Sequence, residues 1–287
     1  MKKVWIFGDS ISADVNNPLS YQQAWSHFFK EHLNENIEYK NVAVGGTTLK
    51  WFNNCDAFRK GEIHKNIPED SRWHKIIGEV EKGDFFIFFL TGANDHGQRD
   101  EDNYFECPNG DYILDDFYKL VRNRDVYVYV GEGYGTHRYY TARSSVEEFS
   151  ATATDMIEQV KAKGAIPLIA RGTGKYFKRN NDNFDVFLSN HNYVEMLPQI
   201  AQKTNAAYLD IGGNFEIGFK ELGYAKMMER YFMAKTAIKR LNKKFGKEIE
   251  CKFDDNCHFN LEGAEHLCGI FIEELKKSDF PLKEYLK

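Results

Sequence analysis

The run Phe85-Phe86-Ile87-Phe88-Phe89-Leu90 constrains this chain more than any other stretch. Six apolar residues in a row, rich in β-formers and without alternation, describe a strand covered on both faces. Gly83-Asp84 precede it and Thr91-Gly92-Ala93-Asn94-Asp95-His96-Gly97 follow, so turn-forming residues bound it at each end. Such a strand belongs in a parallel sheet sandwiched between helices.

The rest of the chain supplies its neighbours. Lys3-Val4-Trp5-Ile6-Phe7 and Ile166-Pro167-Leu168-Ile169-Ala170 read as buried strands, with shorter ones at Asn41-Val42-Ala43-Val44 and Ala207-Tyr208-Leu209-Asp210. Between them, helical patterns run over about 21–33, 72–81, 145–163, 190–204 and 215–245. In the first, Trp25, Phe28, Phe29 and Leu33 share a face. Residues 50–70 read as irregular and polar, and 251–260 as a loop. A closing amphipathic helix over 261–276 turns Leu267, Ile270, Phe271 and Leu275 inward. The pattern predicts one α/β domain over residues 1–287, three-layer α/β/α. Its five-stranded parallel sheet is doubly wound and flavodoxin-like.

Residues 98–141 break the alternation. They hold two strand-like runs, 111–114 and 126–130, and the aromatics Tyr127, Tyr129, Tyr134, Tyr139 and Tyr140. A structureless loop of that length is implausible in a compact domain. The stretch reads as an aromatic-rich insertion after the third strand, a small hairpin excursion beside the sheet's active edge. Tyrosine offers a ring face for the apolar side of a sugar and a hydroxyl for its oxygens, which makes these five candidate substrate contacts. Packing against the body is the equal alternative.

Composition removes several function classes. At 287 residues, with 42% hydrophobic and 28% charged residues, the chain is long enough to bury a large core and reads as soluble and globular. A net charge of −5 gives no broad basic surface for nucleic acid, and no apolar run approaches a membrane span. The five cysteines (Cys55, Cys107, Cys251, Cys257, Cys268) are odd in number and lack disulfide or zinc spacing, which fits a reducing compartment. The first strand begins by Lys3, leaving no room for a signal peptide. A cytoplasmic address is expected, although a chain trimmed of an export signal would read the same.

The chemistry begins at the carboxyl end of the first strand. Gly8-Asp9-Ser10 puts a serine hydroxyl on a tight turn at the sheet edge where open α/β proteins bind ligands. A serine becomes a nucleophile only when a base takes its proton, and that base must be held in one tautomer by a third group. Of nine histidines, only His258 has an aspartate three residues before it, Asp255, on a loop just before the last helix. Donors for a developing oxyanion come from the backbone N–H groups of Ser10 and Gly46 and the side-chain amide of Asn94, each at the end of a successive strand. Each signal alone is common, since glycine, asparagine and serine all favour turns. Together they converge on one edge.

These residues resemble the SGNH (GDSL) hydrolases over nearly the whole chain. Phe7-Gly8-Asp9-Ser10 is similar to the family's first block, and Asn41-x-Ala43-x-Gly45-Gly46 to its second. Gly92-x-Asn94-Asp95 is similar to the third, and Asp255-x-x-His258 to the last. The resemblance implies Ser10 as nucleophile, His258 as base, Asp255 as its orienting acid, and the Ser10 amide, Gly46 and Asn94 as the oxyanion hole. The G-x-S-x-G elbow of α/β-hydrolases is absent, as the family expects. Within the superfamily the chain most resembles the rhamnogalacturonan acetylesterases, through 82–87, 161–167 and 258–264. It departs from them at Thr91, where members often carry an aromatic residue or glycine, and at Arg171-Gly172-Thr173-Gly174-Lys175 after the fourth strand. The insertion is also longer than the family leads one to expect.

Three functions follow as expectations. The first is a carbohydrate O-acetylesterase acting through an acyl-enzyme on acetylated oligosaccharides, with pectin-derived rhamnogalacturonan as the implied material. The second is a lipid or thioester acyl hydrolase, which needs a long apolar groove. The third is a catalytically silent sugar-binding protein, which the intact set of site residues argues against. No cofactor or metal is expected: there is no His-Glu-x-x-His, and Cys251, Cys257 and His258 lack a complete zinc-ligand spacing.

Overall fold

The computed structural model describes residues 1–14, 20–49, 52, 72–95, 111–115, 118–123, 126–132, 138–178, 186–188, 190–250 and 254–287. Tyr134 and most of the stretch 50–70 lie outside the described residues. The main-body elements in chain order begin with β1 (Lys2–Phe7), α1 (Trp25–Phe29), β2 (Ile37–Asn41), α2 (Arg72–Glu79) and β3 (Phe85–Leu90). Four strands follow: β4 (Asp111–Asp115), β5 (Tyr118–Asn123), β6 (Val126–Glu132) and β7 (Arg138–Arg143). Then come α3 (Val146–Ala162), β8 (Ile166–Arg171), β9 (Tyr176–Lys178), β10 (Val186–Leu188), α4 (His191–Val194), α5 (Leu197–Thr204) and β11 (Ala207–Leu209). The chain closes with α6 (Ile211–Leu222), α7 (Tyr224–Tyr231), α8 (Lys235–Phe245) and α9 (Leu261–Lys277).

Five of these strands form one sheet in the order β11-β8-β3-β1-β2, every neighbouring pair parallel. Counted along the sheet this is the flavodoxin-like order, and the direction of winding reverses between β1 and β3. Loops leaving those two strands in opposite directions open a crevice at their carboxyl ends. That crevice receives Gly8–Ser10 from one side and Thr91–Asp95 from the other.

The run that defines β3 is covered on both faces, as its lack of alternation requires. Phe86 and Phe88 meet Trp73 of α2 at ring-centre distances of 5.7 and 6.1 Å. Phe89 projects to the other side, 4.9 Å from Trp25 of α1, which in turn lies 4.7 Å from Phe271 of α9. All six β3 residues are buried, and each such side chain contributes about 1.5–3 kcal/mol by leaving water. The first and last helices thus share one face of the sheet, so the two ends of the chain are locked together beneath the crevice.

Several elements differ from the sequence expectation. The second strand is Ile37–Asn41 rather than 41–44, because Ile37-Glu-Tyr-Lys-Asn sits on the sheet's edge and needs little apolar character. The apolar Val42 and Val44 prolong the pairing beyond it, with N–H bonds to the carbonyls of Ile6 (2.9 Å) and Gly8 (3.1 Å). The helix expected over 21–33 is one five-residue helix followed by a 3-10 turn, Lys30–His32. Residues 190–204 divide into α4 and α5, and 215–245 into α6, α7 and α8, with Gly223 at φ +77° separating two of them.

The insertion is more than a hairpin. Its four strands form an antiparallel meander, β4-β5-β6-β7, in which Tyr127 pairs with Arg143, Tyr129 with Thr141, Tyr139 with Gly131 and Tyr140 with Val130. Strands Tyr118–Asn123 and Arg138–Arg143 escaped notice because charged and polar residues interrupt them. The chain rejoins the body at Ser144, whose N–H donates to the Asp95 carbonyl at 3.3 Å. A second unexpected element is the β9–β10 hairpin after the fourth sheet strand.

Candidate active site

Ser10 sits on a turn that the sequence builds tightly. The Asp9 carbonyl accepts from the N–H groups of Ser12 (3.0 Å) and Ala13 (2.9 Å), and its carboxylate accepts from Ile11 N–H at 3.0 Å. Gly8 is required before it: a Cβ there would lie 2.8 Å from the Phe89 carbonyl oxygen and 2.9 Å from Ser12 Oγ. Asn41, at the end of β2, braces the same turn by donating from Nδ2 to the Ser12 carbonyl at 2.9 Å.

The loop 254–260 brings the histidine from the far end of the chain. Met233 N–H donates to the His258 carbonyl (3.0 Å), and Asp255 N–H to the Met233 carbonyl (3.3 Å). Asn260 caps α9 through Gly263 N–H (3.0 Å) and donates to the carbonyls of Arg230 and Phe232. So fixed, His258 Nε2 lies 2.8 Å from Ser10 Oγ, and His258 Nδ1 lies 2.7 Å from Asp255 Oδ2. The other oxygen of Asp255 accepts from the N–H groups of Cys257 (2.9 Å) and His258 (3.0 Å).

The electrostatics agree with the distances. Burial disfavours charge on both Asp255 and His258, but the bond and attraction between them outweigh it. Asp255 falls below the ordinary carboxylate range and His258 rises above the ordinary imidazole value. An ionised Asp255 accepts the Nδ1 proton, which leaves Nε2 to accept from the serine hydroxyl. This arrangement can move a proton from Ser10 to His258 while the serine attacks a carbonyl.

The donor side is assembled from two further loops. Asn94 Nδ2 donates to the Thr47 carbonyl (3.1 Å) and stands 3.5 Å from Asp9 Oδ2. An amide nitrogen carries two hydrogens: the Thr47 bond orients the group, and the second, in a long bond to Asp9, is the one an incoming acceptor would draw away. In the second loop, the residue packed against Ser10 is Gly45, whose Cβ position lies 3.5 Å from that of Ser10. Gly46 follows at φ +72°, with open space around its Cβ position. Among the tyrosine candidates, 127, 129, 139 and 140 lie in the meander strands, while Tyr134 is outside the described residues.

Two carboxylates beneath the site had been given no role. Burial pushes Asp9 up, opposed by the Thr91 hydroxyl, which donates to its Oδ2 at 2.5 Å. Asp95 accepts from Leu49 N–H at 3.0 Å, and burial, with Asp9 nearby, raises it to about 8. Both roles depend on partners far away in sequence, so no local spacing reveals them. A carboxyl whose folded value is raised binds its proton more tightly in the native than in the unfolded chain. Stability from Asp95 is therefore complete below about 4 and drains away as pH rises towards 8. Asp95→Asn should flatten this slope, because an amide oxygen can accept from Leu49 without holding a proton. Melting temperatures from pH 5 to 9 should fall less steeply for the variant than for the wild type; parallel curves would mean Asp95 is ionised throughout.

Among the described residues, no group of three or more His, Cys, Asp or Glu side chains could hold a metal ion. No described helix is long and apolar enough to cross a membrane.

A parallel flavodoxin-like sheet carrying this serine at its switch point is the scaffold of a serine esterase of the SGNH type. The chain belongs to the GDSL-like Lipase/Acylhydrolase family, whose profile matches residues 6–266. It is 22% identical over 282 residues to YesY of Bacillus subtilis strain 168, described as a probable rhamnogalacturonan acetylesterase. That match covers 98% of this chain and 95% of YesY. Among solved structures, the B. subtilis protein YXIM superposes with a TM-score of 0.57 at 18% identity, over 98% of this chain. This chain spans only 57% of that protein's length. The acetylxylan esterase Axe2 of Geobacillus stearothermophilus superposes with a TM-score of 0.50 at 14% identity, covering 96% of this chain and 94% of Axe2. At these identities the two structures speak for the fold alone.

Proposed function

We propose that this esterase removes O-acetyl groups from carbohydrate, with Ser10 as nucleophile, His258 as general base and then acid, and Asp255 as the group that orients it. The observation that carries this reading is the pair of short contacts, 2.8 Å from Ser10 to His258 and 2.7 Å from His258 to Asp255. In the first half-reaction the Ser10 oxygen bonds to the acetyl carbon while its proton passes to His258 Nε2. The negative oxygen of the tetrahedral intermediate takes hydrogen bonds from the Ser10 and Gly46 N–H groups and the Asn94 amide. His258 returns the proton to the departing sugar oxygen, leaving an acetyl-serine. Water, deprotonated by His258, then releases acetate and restores the enzyme.

Likeness to a protein described as a probable rhamnogalacturonan acetylesterase favours pectin-derived oligosaccharide as the substrate. The insertion tyrosines Tyr127, Tyr129, Tyr134, Tyr139 and Tyr140 are part of this proposal as contacts to sugar rings. Chain-length preference tests the acyl half. Across aryl esters from acetate to octanoate, kcat/KM should be highest for acetate and fall steeply by butyrate, since a site built for acetyl has no pocket for added methylenes. Faster hydrolysis of octanoate would replace the carbohydrate reading with the lipid one.

A further inference from the structure

The geometry points to Lys175 as a specificity-determining residue that selects esters whose alcohol portion carries a carboxylate. The inference rests on the esterase reading above, which fixes the two halves of the site. His258 delivers its proton to the leaving oxygen, so whatever flanks His258 flanks the alcohol half of the ester. Asn94 and the glycine loop flank the acyl oxygen instead.

Lys175 is held on the histidine side by a specific clamp. The next residue, Tyr176, donates its N–H to the Asn256 carbonyl at 3.2 Å. The Tyr176 carbonyl accepts from Asn256 Nδ2 at 2.7 Å and from the Tyr224 hydroxyl at 3.3 Å. Asn256 lies between Asp255 and His258, so the chain around Lys175 is tied directly to the catalytic loop. Tyr176 and Gly174 are buried while Lys175 is exposed, which directs its ammonium away from the core. Its charge reaches both Cys257 and His258.

Among the described residues the ammonium has no ion-pair partner. Arg171, four residues earlier, is occupied by Asp210 at 2.9 Å and Glu216 at 2.8 Å. No carboxylate among the described residues pairs with Lys175 in the same way. Asp255, beside His258, is held ionised, and the whole protein carries −5. A carboxylate on the substrate gains attraction where it can approach a cation in this setting. An exposed lysine at the alcohol side, with no ion pair among the described residues, supplies that cation without the cost of burying it.

The test uses two acetylated methyl glycosides that differ only in carrying a hydroxymethyl group or a carboxylate. Acetate release from each gives kcat/KM, and the quantity read is the acid-to-neutral ratio. Lys175→Gln should lower that ratio about tenfold, Lys175→Glu should lower it further, and Lys175→Arg should hold it. Rising ionic strength should compress the wild-type ratio and barely move that of Lys175→Gln. If Lys175 only tunes His258, both substrates change together, the ratio stays constant and the inference is overturned. A wild type inert on both glycosides would overturn the esterase reading and this inference together, whereas normal turnover with an unchanged ratio sinks this inference alone.

Discussion

Ser10→Ala should lower kcat for any acetate ester by three orders of magnitude or more while leaving the melting temperature nearly unchanged. The serine oxygen is the atom proposed to bond the acyl carbon, and among the described residues no other hydroxyl shares its 2.8 Å approach to His258. Ser10 is only partly buried, and replacing its hydroxyl by hydrogen leaves Gly8 and Asp9 in place to hold the turn. Groups acting as one unit do not share the loss between them, so Ser10→Ala combined with His258→Ala should be about as slow as either alone. A serine-directed phosphonate should label Ser10 in the wild type. An active Ser10→Ala enzyme, or a label on another serine, would remove the mechanism.

Asp255→Asn should be nearly as damaging, by about three to four orders of magnitude in kcat, with little change in KM. The asparagine keeps the size of the side chain but offers Nδ1 either an amide hydrogen or a neutral oxygen. The imidazole is then no longer held in the tautomer that presents Nε2 to serine. A pH profile separates this from simple loss of structure. In the wild type, kcat/KM should rise with pH through a value above that of ordinary histidine, because Asp255 stabilises the imidazolium. Without the carboxylate that limb should move to lower pH even as the plateau collapses. Near-normal turnover in Asp255→Asn would place the orienting group elsewhere.

How much of this could be read from the chain depended on whether the signal was local. The strands at 3–7, 85–90 and 166–170 were legible because central strands of a covered sheet must be apolar throughout. The edge strand Ile37–Asn41 was displaced in the reading because partial exposure allows it Glu38 and Lys40. The candidate site residues Ser10, Asn94, Asp255 and His258 were nameable because each sits in a short patterned segment at the end of a strand or before a helix. Their supports were not. Asp9 depends on Thr91, and Asp95 on Leu49. The tie between Asn256 and Tyr176 spans 80 positions. Such pairings exist only once the sheet has brought its loops together, and spacing along the chain carries no trace of them.

The proposed nucleophile and base, Ser10 and His258, stand 248 positions apart, and α1 and α9, which pack together, come from opposite ends of the chain. A ribosome translating this message therefore releases no working esterase while it is still making the sheet. Ser10, the glycine loop and Asn94 have all emerged long before the histidine exists. By the proposed mechanism, hydrolytic power switches on only after the closing helix has left the exit tunnel and docked. A fragment cut anywhere between residues 20 and 250 carries half a catalyst, and two such fragments regain activity only by finding each other. That makes the protein a natural candidate for a split reporter, whose signal is acetate release and whose background, from either half alone, should be that of the uncatalysed reaction.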